Sequence, residues 1–259
     1  MFPFLYRFFI ELTNGRVTSA LLKNFSQSRL SKPIIPLYTK VFRLDQQEAK
    51  DDFASFATLH DLFIRKLKSD VRPIAEGEQA VVSPVDGILE DFGDIQEDKK
   101  IIVKGKTYSM EEMLGDPKTL QKYLGGKYLV LYLSPSHYHR IHTPISGEVT
   151  QRWSLGQKSY PVNKWGMLYG KAPLSKNYRI ITELDYGQGC VAIVKVGAMF
   201  INSIEITDKA KQLQKGQEFS YFSFGSTVVL LFEKDSFEIE SDLVIPANVR
   251  IGEKIGYIK

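Results

Sequence analysis

From residue 80 onward, the apolar residues come in short runs separated by glycine, proline and aspartate. The runs are rich in β-branched and aromatic side chains, which is typical of strands, and their close spacing is typical of an antiparallel sandwich or barrel. The predicted strands are Val81–Val82, Ile101–Val103, Tyr128–Leu133, Gly147–Trp153, Tyr178–Leu184, Val191–Val196, Phe200–Ile206, Phe219–Phe224, Val228–Phe232 and Phe237–Ile239. The pattern predicts an α+β protein that is mainly antiparallel β, with a sandwich-like or barrel-like core and an N-terminal helical cap.

Two segments have the three- and four-residue spacing of a helix. Within residues 45–70 apolar side chains recur at these steps, Asp45 can cap the first turn, and Pro73 follows the last one. A shorter helix is predicted at Met110–Leu114. Because no repeat or low-complexity linker interrupts the chain, we expect one β-rich domain over residues 45–259.

Residues 1–44 differ from the rest of the chain in charge. They hold seven basic side chains and one acidic side chain, whereas the remainder holds 27 basic and 29 acidic ones. Apolar residues recur at helical spacing between Leu5 and Leu12 and cluster again between Ala20 and Phe25. The segment predicts amphipathic helices in a membrane interface, with arginine and lysine near anionic headgroups. Packing of the same helices on the protein's own core explains the pattern equally well.

The composition narrows the class of protein. Hydrophobic residues make up 43% and charged residues 25% of the chain, as in folded globular proteins. Because the basic excess is N-terminal, we do not expect the core to bind nucleic acid. The single cysteine, Cys190, excludes an intramolecular disulfide and a cysteine-rich zinc site.

Three of the four histidines lie within six residues, at His137, His139 and His142. His-x-His pairs bind zinc in some proteins. In a strand, however, His137 and His139 share one face while His142 lies on the other, and no cysteine or carboxylate stands beside them in sequence. We therefore expect no metal, and we interpret the cluster as proton carriers that act near neutral pH.

Two further segments suit nucleophilic chemistry. Ser83-Pro84-Val85-Asp86-Gly87 has the composition of a turn, in which Asp86 either projects its carboxylate or bonds its own backbone. In Phe224-Gly225-Ser226-Thr227 the glycine leaves its carbonyl unshielded, and the Ser226 hydroxyl can attack that carbonyl once a base takes its proton. A hairpin turn or a bulge explains this tetrapeptide too. Aspartate, histidine and serine also suit a serine hydrolase, although its Gly-x-Ser-x-Gly elbow is absent.

Taken together, these motifs resemble the phosphatidylserine decarboxylase family. The resemblance covers about residues 60–235. The matching segments, in the family's order, are Phe63-Ile64-Arg65-Lys66-Leu67 with Arg72-Pro73-Ile74, Ser83-Pro84-Val85-Asp86-Gly87, Tyr138-His139-Arg140-Ile141-His142-Thr143-Pro144, Val196-Gly197-Ala198-Met199 and Phe224-Gly225-Ser226-Thr227. Many members of the family have leucine where this chain has Phe224, so an apolar side chain is retained there.

The resemblance implies a self-processing enzyme. Asp86 would orient His142, His142 would take the proton of Ser226, and the Ser226 oxygen would attack the Gly225 carbonyl. Elimination from the resulting ester, followed by hydrolysis, would release ammonia and leave a covalent pyruvoyl cofactor in place of Ser226. The products would be chains of residues 1–225 and 226–259 that stay together as a heterodimer.

The resemblance also implies a second stage. The pyruvoyl ketone would form a Schiff base with the amine of phosphatidylserine and accept electrons as CO2 leaves, giving phosphatidylethanolamine, and His139 would supply a proton. A lipid substrate favours membrane contact by residues 1–44 and a peripheral location at the cytoplasmic face of the cell membrane. The expected partners are phosphatidylserine and an anionic membrane surface.

Three alternatives stay open. A related decarboxylase that acts on a soluble amino-acid derivative would not need the apolar, basic segment 1–44. A serine hydrolase would keep its chain intact. A non-catalytic lipid-binding β domain would neither cleave itself nor need Asp86 and His142.

Overall fold

The structure, a computed structural model, describes residues 16–98, 100–162, 164–198, 204–223 and 225–259. The predictions for residues 1–15, for residues 199–203 and for Phe224 lie outside the described residues. The helices are α1 (Arg16–Gln27), α2 (Ile35–Val41), α3 (Leu59–Phe63), α4 (Met110–Leu114), α5 (Pro117–Tyr123), α6 (Lys164–Tyr169) and α7 (Pro173–Lys176), with 3-10 turns at Arg29–Ile34 and Phe53–Ser55.

Strands make up most of the remaining regular structure. They are β1 (Ala80–Val82), β2 (Gly87–Asp94), β3 (Lys100–Val103), β4 (Lys106–Ser109), β5 (Lys127–Leu133), β6 (Arg140–His142), β7 (Gly147–Leu155), β8 (Arg179–Asp185), β9 (Cys190–Gly197), β10 (Ile204–Ile206), β11 (Gln212–Leu213), β12 (Glu218–Phe222), β13 (Ser226–Phe232), β14 (Phe237–Ile239), β15 (Ala247–Val249) and β16 (Lys254–Ile258).

One large antiparallel sheet organises the fold. Its eight strands run in the order β11-β7-β8-β9-β13-β5-β2-β15. Two three-stranded sheets, β1-β16-β14 and β10-β12-β6, and the hairpin β3-β4 complete the described strands. Strand β13 pairs over its whole length with β9 on one side and β5 on the other, so it lies at the centre of the molecule.

The central strands of the large sheet are buried on both faces. On one face, Val228 and Leu230 of β13 join a core with residues of the two small sheets, such as Phe219 and Ile255. On the other face, Val229 joins a second core with α4, α5 and the β3-β4 hairpin. Alternate residues of a strand point to opposite faces, which explains why every residue of β13 is buried. The predicted α+β fold with a sandwich-like β core is confirmed.

Of the two helices predicted between residues 45 and 114, one is confirmed and one is wrong. The helix at Met110–Leu114 is confirmed: the Ser109 side chain caps its N-terminus, and Gly115 ends it in the left-handed conformation at φ 73°. The continuous helix over residues 45–70 is wrong. There the Lys50 amide donates to the Lys66 carbonyl, and the Lys68 amide donates to the Glu48 carbonyl. These two backbone hydrogen bonds fold the segment back on itself.

The helices between residues 16 and 41 leave much of their apolar surface exposed. Of the eleven large apolar side chains that are exposed in the described part of the chain, seven lie in this region: Leu21, Leu22, Phe25, Leu30, Ile34, Leu37 and Val41. No helix among the described residues is long and apolar enough to cross a membrane.

Candidate active site

Ser226 is the first residue of the central strand β13. It lies opposite Gly197 of β9 and Leu133 of β5 and is fully buried. The preceding strand β12 belongs to a different sheet, so β12 and β13 do not form a hairpin. The turn interpretation of the Gly-Ser-Thr motif is therefore wrong, and the connection instead leads Ser226 into the core.

The imidazole of His139 lies beside Ser226. His139 Nδ1 is 3.3 Å from Ser226 Oγ, and its Nε2 is 3.1 Å from the Ser134 carbonyl oxygen. A carbonyl can only accept, so Nε2 carries the hydrogen and Nδ1 presents its lone pair to the serine hydroxyl. His139 is thereby oriented as a proton acceptor at Ser226.

The surroundings of His139 keep its ring neutral. The ring is fully buried and stacks on Phe63, which ends α3, with 3.9 Å between the ring centroids. Burial, and after it the positive charge of Arg65, lower the pKa of His139 well below its usual value. Since a neutral imidazole is the form that accepts a proton, the environment favours a base.

The carbonyl of Gly225 has a hydrogen-bond donor of its own. The Ala198 amide donates to the Gly225 carbonyl oxygen at 2.8 Å. A backbone N–H aimed at a carbonyl stabilises the negative charge that develops there when a nucleophile attacks. Among the described residues outside its chain neighbours, a Cβ at position 225 would come within 4 Å of the Ala198 Cβ alone, at 3.9 Å, so packing against these residues does not require glycine.

Asp86 is held in the turn before β2 by an ion pair. Its Oδ2 accepts from Arg72 Nη2 at 2.6 Å, and its Oδ1 accepts from the Ile251 amide at 2.9 Å. Arg72 bonds Glu48 at the same time, through Nη2 at 2.7 Å. Among the described residues, Asp86 makes no hydrogen bond to His142 or Ser226.

His142 ends β6 and has the opposite tautomer to His139. Its Nδ1 donates to the Gly216 carbonyl at 2.7 Å, which leaves a lone pair on Nε2, and that buried atom has no hydrogen-bond partner among the described residues. Burial lowers the pKa of His142, while the Gly216 bond and the charges of Glu218 and Asp86 oppose that decrease. The structure therefore does not bring His142 into hydrogen-bonding contact with Ser226. The base role predicted for it stays a prediction.

The third clustered histidine stabilises a turn. His137 Nδ1 accepts from the Ser134 amide at 3.0 Å, and this closes the turn between β5 and His139. In the described part of the chain, no group of three histidine, cysteine or acidic side chains is arranged to hold a metal ion.

A cavity of about 350 Å³ opens beside this group of residues. Asp86, Gly87, His137 and Tyr138 line it together with four arginines, Arg43, Arg65, Arg72 and Arg250. A second cavity, of about 290 Å³, is lined by His142, Arg72 and Glu218, among others. The site is thus polar and predominantly cationic.

Sequence reasoning missed the groups that connect the predicted residues. The Ser134 and Gly216 carbonyls set the two histidine tautomers, and the Ala198 amide contacts the Gly225 carbonyl. These are backbone groups, which side-chain patterns do not reveal. Arg65 and Arg72 stand in the motifs that carry the family resemblance, but nothing in the sequence indicated their contacts.

The fold and site define a β-rich protein with a histidine-paired serine at the start of a buried strand. A family model described as phosphatidylserine decarboxylase matches residues 59–257. The chain is 56% identical over 259 residues to the phosphatidylserine decarboxylase proenzyme of Geobacillus sp. (strain WCH70), covering 100% of both chains. It is 53% identical over 257 residues to that of Geobacillus kaustophilus (strain HTA426), covering 99% of this chain and 97% of the relative.

A third relative is the phosphatidylserine decarboxylase proenzyme of Bacillus cereus (strain ATCC 10987 / NRS 248). It is 56% identical over 251 residues, which cover 97% of this chain and 96% of the relative. These matches extend through all the segments on which the resemblance rests. The chain therefore belongs to the phosphatidylserine decarboxylase family.

Proposed function

We propose that this protein cleaves itself between Gly225 and Ser226 and then decarboxylates phosphatidylserine to phosphatidylethanolamine and CO2. The observation that carries the proposal is the arrangement at the start of β13. A buried serine hydroxyl faces a neutral imidazole at 3.3 Å, and the neighbouring Gly225 carbonyl accepts from the Ala198 amide. Family membership supplies the substrate class.

The first step is an attack of Ser226 Oγ on the Gly225 carbonyl carbon. A histidine takes the hydroxyl proton, and the Ala198 N–H stabilises the oxyanion. The carbon–nitrogen bond between residues 225 and 226 then breaks as the nitrogen takes up a proton, which leaves an ester. Loss of the Cα proton of Ser226 expels the Gly225 carboxylate, and water replaces the nitrogen, which leaves as ammonia.

The surroundings of Ser226 fit the pyruvoyl group that results. Gly197 on β9 lies opposite Ser226 and the His139 ring lies beside the Ser226 hydroxyl, so these two residues would flank the group. When present, the group supplies a ketone that binds the substrate amine and withdraws electrons as CO2 leaves. Because β13 pairs with both β9 and β5, the segment 226–259 stays bound to 1–225 after cleavage.

Two histidines share the proton transfers in this proposal. We assign the cleavage step to His142, with Asp86, because its buried Nε2 has no hydrogen-bond partner among the described residues and the Asp86 charge acts on the ring. We assign the decarboxylation step to His139, because it lies beside the atoms that become the reactive group and, once its Nδ1 has taken up a proton, can deliver that proton there. The Ser226 contact also makes His139 the alternative base for cleavage.

The exposed apolar side chains of residues 21–41 support a lipid substrate. Leu30 is 76% exposed and Leu37 63% exposed, and basic residues such as Lys32 and Lys40 lie between and beside them. Apolar side chains next to lysine and arginine suit an anionic bilayer surface. The Tyr38 hydroxyl donates to the Pro135 carbonyl at 3.2 Å, which places this surface next to the turn that carries His139. We infer peripheral binding at the cytoplasmic face of the cell membrane.

The cleavage proposal is tested by denaturing electrophoresis with intact-mass analysis. The wild-type protein should give two chains, 1–225 and 226–259, the second beginning with a pyruvoyl group. Ser226→Ala should give a single inactive chain of about 29.5 kDa. A wild-type protein that decarboxylates phosphatidylserine while its chain is intact would sink the proposal, and ester hydrolysis by that intact chain would favour a serine hydrolase.

The membrane proposal is tested by sedimentation with vesicles that contain anionic lipid. Changing Leu30 and Leu37 together to glutamine should weaken vesicle binding about tenfold or more, because each apolar side chain loses its favourable burial. Val244→Gln is a matched control, since Val244 is 78% exposed but lies outside the N-terminal helices. Equal vesicle binding by the double variant and the control would contradict the membrane role.

A further inference from the structure

The 350 Å³ cavity beside the active site contains an imbalance of charge. Its lining includes four arginines against three carboxylates, Asp45, Glu48 and Asp86. Two of those carboxylates are engaged by one arginine, since Arg72 bonds both Glu48 and Asp86. Arg250, 60% exposed, also contacts Glu48, at 3.4 Å.

Arg65 is a buried cation of this cavity that makes no ion pair with a carboxylate among the described residues. It is 6% exposed, and its Nη2 donates to the Ser136 and His137 carbonyls at 3.2 and 3.3 Å. Its Nη1 is buried with no hydrogen-bond partner among the described residues. A buried guanidinium with unused donors is costly unless a ligand supplies the acceptor.

We propose that the Arg65 guanidinium binds the phosphodiester of the phospholipid headgroup inside this cavity. This inference rests on the proposed function and adds the subsite that holds the substrate. A guanidinium presents paired N–H donors that match the oxygens of a phosphate. The charges of Asp86 and Glu48 act on Arg65 without a direct ion pair, so a bound phosphate would add the hydrogen-bond acceptor that Nη1 lacks among the described residues.

The phosphate is the better partner for Arg65 than the substrate carboxylate. The carboxylate loses its charge when it leaves as CO2, so a cation that held it would stabilise the starting state more than the transition state. The phosphate keeps its charge throughout, so binding it does not oppose the reaction.

The position of the cavity agrees with this assignment. Gly87, which lines it, starts β2 next to the end of β5, and Leu133 at that end lies opposite Ser226. Neighbouring strands are about 4.8 Å apart, so the cavity begins about two strand spacings from Ser226. Arg65 also holds the Ser136 and His137 carbonyls of the turn that carries His139.

Binding at Arg65 would also act on His139. The charge of Arg65 is one cause of the low pKa of that imidazole, after burial. The negative charge of a phosphodiester beside Arg65 offsets the positive charge, so the bound headgroup raises the pKa of His139 and prepares it to give a proton.

The test measures binding without turnover. Ser226→Ala protein, which cannot process itself, is titrated with monomeric dihexanoyl phosphatidylserine and dihexanoyl phosphatidylethanolamine, with dihexanoylglycerol as the phosphate-free probe. Adding Arg65→Gln should weaken binding of both phospholipids about tenfold or more, as expected for loss of a charged hydrogen bond. It should leave the binding of dihexanoylglycerol unchanged. Inorganic phosphate should compete with both phospholipids for binding to the Ser226→Ala protein. Arg250→Gln removes an exposed charge from the same cavity and should change binding less than threefold.

The following results would overturn the assignment of Arg65 as the phosphate-binding residue. Unchanged phospholipid binding in Arg65→Gln overturns the proposal, and so does a loss confined to phosphatidylserine, since that would identify the carboxylate as the partner. If Arg65→Gln does not fold, nitrogen NMR of the Arg65 side chain in Ser226→Ala protein replaces it. A resonance that does not shift with dihexanoyl phosphatidylethanolamine overturns the proposal. Because Ser226→Ala protein is used, failure of wild-type self-cleavage would refute the proposed function separately.

Discussion

His139 and His142 lie three residues apart, yet the structure treats them differently. Both are buried, and both have a pKa below the usual value. His139 donates through Nε2 and turns Nδ1 to Ser226, whereas His142 donates through Nδ1 to Gly216, and its Nε2 has no hydrogen-bond partner in the described part of the chain. The His139 imidazole already faces the Ser226 hydroxyl. The His142 imidazole is a neutral base that does not contact Ser226, its proposed target.

The difference shows how neighbouring histidines acquire separate roles. A backbone carbonyl selects which nitrogen carries the hydrogen, and that choice directs the free lone pair. His139 lies just before β6 and packs on α3 through Phe63. His142 ends β6, where its amide donates to the Pro84 carbonyl and so places it near the Asp86 turn. The two regions are therefore separable by mutation.

The largest expected effect comes from removing each histidine. His142→Ala should leave the chain uncleaved, because the proposed base for Ser226 is lost. His139→Ala should still be cleaved but should decarboxylate about 100-fold more slowly or worse, the usual contribution of a general acid or base. Gel analysis and CO2 release distinguish the two variants.

The reverse result would reassign the two histidines. If His139→Ala stays uncleaved while His142→Ala is cleaved normally, the Ser226 contact seen here is the one that starts cleavage. His137→Asn serves as a control, since its side-chain oxygen can still accept from the Ser134 amide. That variant should be cleaved and should turn over nearly as the wild type does.

The next effect concerns the ion pair on the His142 side. Arg72→Met should destabilise the protein by about 3 kcal/mol, because Glu48 and Asp86 would be left as poorly solvated carboxylates without their shared cation. Urea unfolding of Ser226→Ala protein with and without this change gives the difference. Adding Glu48→Gln to Arg72→Met should recover part of the loss. Lys100→Met, which breaks an exposed ion pair with Asp98, is the control. A loss in the free energy of unfolding for Arg72→Met no larger than that for Lys100→Met would contradict this account.

The predictable parts of the fold are those that side-chain pattern determines. The run Val228–Phe232 identified the central strand, although the strand begins two residues earlier. Strand β2 was missed because Gly87–Asp94 contains three acidic residues and two glycines. The helix predicted over residues 45–70 failed because tertiary backbone pairing outweighed its helical spacing.

The candidate site was predictable in its residues but not in its connections. The motifs singled out Ser226, Asp86 and the two histidines, whose positions depend on backbone groups and on Arg72. The sequence also has no means of showing that residues 226 and 139 meet across separate sheets. A serine followed by an apolar run is compatible with a hairpin turn and equally with the start of a buried core strand, so the pattern does not distinguish them.

The pH dependence of stability is a smaller effect that both regions share. Because the folded-state pKa of His139 and His142 is lowered, the unfolded chain binds protons that the native protein does not as the pH falls below about 6.5. Their contribution to stability is present above that pH and declines below it. The slope approaches about 1.4 kcal/mol per pH unit for each histidine.

Urea unfolding of Ser226→Ala protein between pH 7.5 and pH 5 measures this slope. Changing His139 to phenylalanine in the same background should reduce it, since one proton-binding group is removed from the unfolded state. An unchanged slope would mean that His139 titrates alike in both states, contrary to its burial.

The smallest expected effect comes from a change in the packing of the His139 ring. Phe63→Leu keeps an apolar side chain but removes the ring that stacks on His139 at 3.9 Å. We expect a loss of about 1 kcal/mol in stability and a decrease of a few fold in decarboxylation, since the imidazole is held less firmly. Self-cleavage should stay normal if it depends on His142. Phe237→Leu is the control, because Phe237 stacks on Phe232 at 4.0 Å within the core and should cost similar stability without slowing turnover. A slower cleavage in Phe63→Leu alone would place the first step, too, on the His139 side.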